Sequence, residues 1–159
     1  MFKRCHLQML STLLWLSAAI IAPSYAHTTE NTYDAELANA LGADDYGMKS
    51  YVLVLLVTGD ATISDEQQRN ELFRGHFANM ARLAKDNILV VAGPLMRAEP
   101  KRGLFILNVA SVEEAEVIVK TDPAVQAGIF SYELSALYSS AALMQVGEIH
   151  NRIQKLKIE

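Results

Sequence analysis

The chain predicts an α+β fold of the ferredoxin-like split type, β-α-β-β-α-β, and three observations carry that prediction. Four strand-length segments and two helical ones follow one another in that order. Each helical segment opens on a capping box. The segments that become the central strands, "YVLVLLV" and "LFILNV", are apolar at both alternating sets of positions, as strands covered on two faces are.

In order, "SYVLVLLVT" (residues 50–58) is the first strand and "GDATIS" the loop after it. Ser64 with Gln67 three residues on makes a capping box, and Asp65 and Glu66 suit the first turn of a helix, where its dipole favours negative charge. At about 100° per residue, Leu72, Phe73, His76, Phe77, Met80, Leu83 and Ala84 fall on one arc. Glu71, Arg74, Arg82 and Lys85 lie opposite, and the helix stops around Asp86 and Asn87. "ILVVAGP" is the second strand, closed by Gly93 and Pro94, "LMRAEPKR" a polar loop, and "GLFILNVA" the third strand. Ser111 and Glu114 make the second capping box, with Val112, Ala115, Ile118 and Val119 on one side of the helix they open. That helix ends at Asp122, because the residue before a proline is pushed out of the helical region. "IFSYELSALY" is the fourth strand. It sets Phe130, Tyr132, Leu134, Ala136 and Tyr138 on one face and Ser131, Glu133 and Ser135 on the other.

Helices in a split fold cover one face of the sheet, so the two-faced apolarity of the central strands demands cover for the second. The C-terminal "GEIHNRIQKLKIE", with Ile149, Ile153 and Leu156 at helical spacing, supplies only part of it. A second copy of the sheet completes it, and a homodimer is expected.

The N-terminus has a different character. Lys3 and Arg4 precede an apolar run from Met9 to Ala22, and Ser24 and Ala26 satisfy the small-x-small rule of a signal peptidase site. The run is shorter than the roughly 20 residues a permanent anchor needs. Residues 1–26 therefore read as a cleavable signal peptide, giving a mature protein that starts at His27 in the periplasm or outside the cell. Cleavage removes Cys5, the one cysteine, and with it disulfide or thiolate chemistry. It also leaves 12 basic residues against 18 acidic, a net charge of −6, which argues against nucleic acid as a partner. Residues 27–48 read as a polar arm with a helical hint at Ala35 to Leu41, residues 49–139 as the compact domain, and residues 140–159 as a partly helical extension.

"GHFANMARLAKDNILVVAGP", "RGLFILNVASVEEAE" and "TDPAVQAGIFSYEL" together resemble the YCII-related family of small dimeric α+β barrel proteins, over Lys49 to about Ser139. The resemblance implies the split fold, the dimer, and His76 with Asp122 as the active-site pair. It also implies chemistry of the kind some relatives perform, eliminations on chlorinated aromatic breakdown products; more distant barrels include muconolactone isomerases and haem-degrading enzymes. The signal peptide, the arm and the C-terminal extension depart from the simplest members.

Each candidate residue also has a plainer reading. His76, in the middle of the apolar arc, is either a core histidine satisfied by a backbone carbonyl or a ring paired with a carboxylate for acid–base work. Asp122 alone reads as a turn residue before proline. Arg102 either holds an anionic substrate group with its fork of donors or is a solvated loop residue. Arg69, two turns before His76 at a similar angle, either flanks the same cavity or carries its charge off the end of the stripe. Gly93, Pro94 and Gly128 shape the backbone or, alternatively, line the pocket, Pro94 then touching substrate. His27 and His150 have no partners at ligand spacing, and no phosphate loop or Ser-His-Asp signature appears, so neither a metal nor an organic cofactor is expected. Two functions stay open. One is a small lyase or isomerase moving a proton on a small organic acid or carbonyl compound. The other is a non-catalytic dimer that binds a small ligand or serves as an envelope scaffold.

Overall fold

The computed structural model describes residues 32–156. The expected signal peptide and the mature N-terminus at His27 lie outside the described residues. Among the described residues no helix is long and apolar enough to cross a membrane.

The elements are α1 (Ala35–Leu41), β1 (Met48–Thr58), α2 (Glu66–Lys85), β2 (Leu89–Pro94), β3 (Lys101–Leu107), α3 (Val112–Val119), α4 (Pro123–Gln126), β4 (Phe130–Ser140), a 3₁₀ helix (Ala141–Gln145) and α5 (Val146–Ile153). The four strands form one antiparallel sheet in the order β2-β3-β1-β4, which is the ferredoxin-like arrangement with β1 and β3 central. Opposed residues share a face. Val52, Val54 and Leu56 therefore lie beside Leu107, Phe105 and Gly103 of β3, and beside Ala136, Leu134 and Tyr132 of β4. This face carries the core, closed over by Leu83 of α2, Ala115 and Val119 of α3, and Ala124 of α4. Each fully buried aliphatic side chain there contributes about 1.5–3 kcal/mol.

The other face is the half-covered one. Leu53 and Leu55 of β1 lie beside Ile106 and Leu104 of β3, and all four are only half-buried. Toward β4 the same face turns polar, with Ser131, Glu133 and Ser135 exposed. The chain after β4 folds back so that the 3₁₀ helix touches β1 and β2 and α5 touches β2. The apolar residues expected to help cover the sheet remain largely in water: Ile149 and Ile153 of α5 and Leu156 beyond it are 50%, 75% and 81% exposed.

Several boundaries differ from the sequence reading, each for a local reason. The N-cap of α2 is Asp65, not Ser64; its side chain accepts from the Gln68 amide at 2.7 Å, so the helix starts one residue later. Ser111 does cap α3, accepting from the Glu114 amide at 3.2 Å, while Glu114 reaches back to the Ala110 amide at 3.0 Å. The proline after Asp122 does not simply end a helix: it opens α4. The polar arm carries a helix, α1, where the sequence hinted at one, and its second half is anchored to the domain. Asp34 caps α1, and Asp44 accepts from the Tyr46 and Met48 amides and from the Tyr138 hydroxyl of β4. On β4 the predicted alternation holds through Leu134, after which Ala136 and Tyr138 are exposed beyond the reach of the helix layer.

Candidate active site

His76 sits midway along α2, on the side turned to the sheet, and is 6% exposed. The arc that buries it is aromatic. Phe77, Phe130, Phe105 and Phe73 surround the imidazole at ring-centre distances of 5.4, 5.5, 6.0 and 6.4 Å; Phe105 stacks and the others meet it edge-on. A polar ring in such surroundings must keep its hydrogen bonds or cost free energy.

Asp122 supplies one of them. The preceding helix α3 ends three residues earlier, at Val119, and Asp122 is extended (φ −75°, ψ 123°) as the N-cap of α4. Pro123 follows at the first helical position, where its missing N–H leaves nothing unsatisfied. One carboxylate oxygen, Oδ1, accepts from the Ala124 amide at 2.9 Å. The other, Oδ2, lies 2.6 Å from Nδ1 of His76. The carboxyl group is 2% exposed with both oxygens engaged, so its orientation is fixed from two sides.

This pairing dictates the ring's chemistry. A carboxylate only accepts, so Nδ1 is the donor and the lone pair of the neutral ring sits on Nε2. Nε2 has no partner among the described residues. Among the described residues no buried side-chain nitrogen or oxygen lacks a hydrogen bond, so Nε2 is an atom that reaches the surface. The imidazole is thus buried, held on one side and open at one atom on the other.

The remaining candidates lie elsewhere. Arg102 donates to Glu99 at 2.7 Å, and with Pro94, Met96, Arg97 and Lys101 it lines an open cavity of about 530 Å³ on the hairpin between β2 and β3. That hairpin shares an end of the sheet with the imidazole: Thr58 donates from both its amide and its hydroxyl to the Pro100 carbonyl, and Thr58 pairs with Phe130. Arg69 is exposed on α2. A second open cavity, about 500 Å³, is lined by Glu66, Gln67, Asn70, Glu71 and Arg74; neither cavity includes His76 or Asp122. Among the described residues no three His, Cys, Asp or Glu side chains converge as metal ligands would.

Sequence reasoning did not assemble the phenylalanines into one enclosure, although each lay in an apolar pattern. It also missed α4. The signal for that helix was present, since aspartate followed by proline is the cap-then-first-residue pair of a helix start.

The family model for the YCII-related domain matches residues 51–136, more than half of the chain. Among solved structures, 5-chloro-2-hydroxyhydroquinone dehydrochlorinase from Burkholderia phenoliruptrix, in complex with 2,5-dihydroxybenzoquinone, is similar at 23% sequence identity and a TM-score of 0.39, over 52% of this chain and 90% of that chain. Comparison with curated protein sequences gives no match.

Proposed function

We propose, from the premise that this chain belongs to the YCII-related domain family, that it is a small enzyme of lyase or isomerase type acting without metal or organic cofactor. It moves a proton next to the carbonyl of a small organic acid or carbonyl compound. The observation that carries this reading is the asymmetry of His76, with Nδ1 held by Asp122 at 2.6 Å and Nε2 unpartnered and open. A ring so held accepts a proton at one defined atom and returns it to the same substrate. Arg102, on the hairpin at the same end of the sheet, leaves Glu99 to receive the negative charge that develops, with Pro94 lining its approach. Arg69, at the exposed surface of α2, guides an anionic substrate in. The working unit is a homodimer of exported chains.

A panel of small oxo acids, lactones and unsaturated acids in deuterated water tests this reading. The wild-type protein should incorporate deuterium beside the carbonyl of at least one compound. His76→Ala should slow that exchange by about 10²–10⁴-fold. A second reading, a ligand-binding module without turnover, would use the open cavity beside Arg102, whose lining is Pro94, Leu95, Met96, Arg97, Glu99, Lys101 and Arg102. It wins if compounds shift the protein's NMR signals yet exchange no faster than in buffer.

A further inference from the structure

Gly75 stands where helix propensity argues against it. It lies midway along the 20-residue α2, a position where alanine normally gives the more stable helix because it restricts the unfolded chain. Space explains the choice. A Cβ on residue 75 would meet Pro123 Cγ at 2.9 Å and Pro123 Cβ at 3.2 Å. That neighbour is not the loose end of a flexible side chain; it is a closed ring at the first position of α4. Gly75 is therefore the point at which α4 closes on α2.

The contact adjoins both members of the pair: Gly75 precedes His76, and Pro123 follows Asp122. One turn further along α2, Arg82 Nη2 bridges the two elements, donating to Asn79 Oδ1 at 2.8 Å and to the Thr121 hydroxyl oxygen at 3.5 Å, while the hydroxyl proton of Thr121 goes to the Ile118 carbonyl at 2.7 Å. The turn that carries Asp122 is thus seated on α2 by a packing contact on one side of the pair and a hydrogen-bonded one on the other. We propose that Gly75 is a positioning residue, whose missing side chain lets Pro123 approach and so sets the distance between His76 Nδ1 and Asp122 Oδ2. This rests on the reading that the pair moves a proton. The distances give its scale. Ordinary contact begins at 3.4 Å, so a methyl group at residue 75 reaches it only if Pro123 moves out by about 0.5 Å. The same outward step at Asp122 stretches the 2.6 Å bond to about 3.1 Å, near the limit for N–H···O.

The test is NMR of the ¹⁵N-histidine-labelled protein without ligand. In the wild type, His76 should show a single tautomer and an Nδ1 proton shifted downfield and protected from water. Gly75→Ala should lose that proton to exchange and mix the tautomers, and it should lower the melting temperature although alanine is the better helix former. Gly75→Ala/Pro123→Ala, which removes the atom at 2.9 Å, should recover the His76 signals. If Gly75→Ala does not fold, recovery of both fold and signals in the double variant supports the proposal, and failure to recover them overturns it. A folded Gly75→Ala with unchanged His76 signals also overturns it. These readouts concern the geometry of the pair, so they stand or fall independently of the deuterium exchange that tests the acid–base reading.

Discussion

Asp122 performs two tasks through two oxygens, and substitutions separate them. Asparagine keeps an oxygen for the Ala124 amide but cannot serve Nδ1 as a carboxylate does. If its amide nitrogen turns to the ring, His76 must give up the Nδ1 proton and lose the open lone pair at Nε2. Asp122→Asn should therefore lower turnover while the fold persists, read as the exchange rate beside an unchanged circular dichroism spectrum. Asp122→Ala removes the cap and leaves a buried imidazole nitrogen unpaired. Caps are worth about 0.5–2 kcal/mol and an unsatisfied buried group about 1–3 kcal/mol, so a loss on the order of 3 kcal/mol is expected in urea unfolding. A loss below about 1 kcal/mol would mean that water replaces the carboxylate and that the site is wetter than its phenylalanines indicate. At this scale the sequence was legible where chemistry and pattern clash. A titratable ring in an apolar arc left two readings, a core histidine bonded to backbone or a buried pair, and the resemblance supplied the partner. The four phenylalanines were not legible as an enclosure, because they converge from α2, β3 and β4 and only the sheet register brings Phe105 and Phe130 to one helix.

The element α1 is attached at one point that titrates. Asp44 accepts from the Tyr138 hydroxyl and the Met48 and Tyr46 amides, and the Tyr138 bond, the largest of these effects, holds its carboxyl below the usual value of 3.8. A depressed folded value means that the stabilisation is present above 3.8 and lost as pH falls through the folded value. The same bond raises the Tyr138 phenol above 10.0, so its share is present below that pH and lost as pH rises through the folded value. Hydrogen exchange at the Tyr46 and Met48 amides should accelerate at the acid end before the sheet opens, relative to the intrinsic rate. Tyr138→Phe should move the onset to higher pH; equal protection in the two proteins would assign the arm's anchorage to backbone bonds instead. Elements were read most accurately where period and caps agree, as in the strands and α3. The helix of the arm was legible as the hint at Ala35 to Leu41, but its anchorage was not, because Asp44 bonds a strand 94 residues away and separation of that kind leaves no local pattern. The short α4 was missed for a different reason: four residues are too few to show a helical period.

For the whole molecule, export and assembly are the remaining expectations. The apolar run and the small-x-small site predict that the exported protein starts at His27, and intact-mass measurement on protein from the cell envelope should show residues 1–26 removed. Assembly follows from the sheet's second face. Leu53, Leu55, Leu104 and Ile106 form a contiguous apolar patch across the two central strands, and none is fully covered within one chain. The C-terminal segment does not complete the cover, since Leu53, Leu55, Leu104 and Ile106 stay partly exposed beside it and Ile153 and Leu156 are themselves exposed. Monomeric proteins rarely leave such a patch wet, and one sheet laid against another at about 10 Å removes it from water. Burial is worth about 25 cal/mol per Å², and a stable interface needs roughly 800 Å² per partner, which a four-stranded face can provide. Light scattering on the mature protein at micromolar concentration should give twice the chain mass. Leu55→Asp places a charge at the centre of the patch, beside Leu104 and Glu133. Because Leu55 is partly exposed in the single chain, on the face opposite the core, this substitution should yield a folded monomer rather than an unfolded protein. A wild-type monomer at that concentration, or a Leu55→Asp dimer as tight as wild type, would mean that the sheets do not meet at this face.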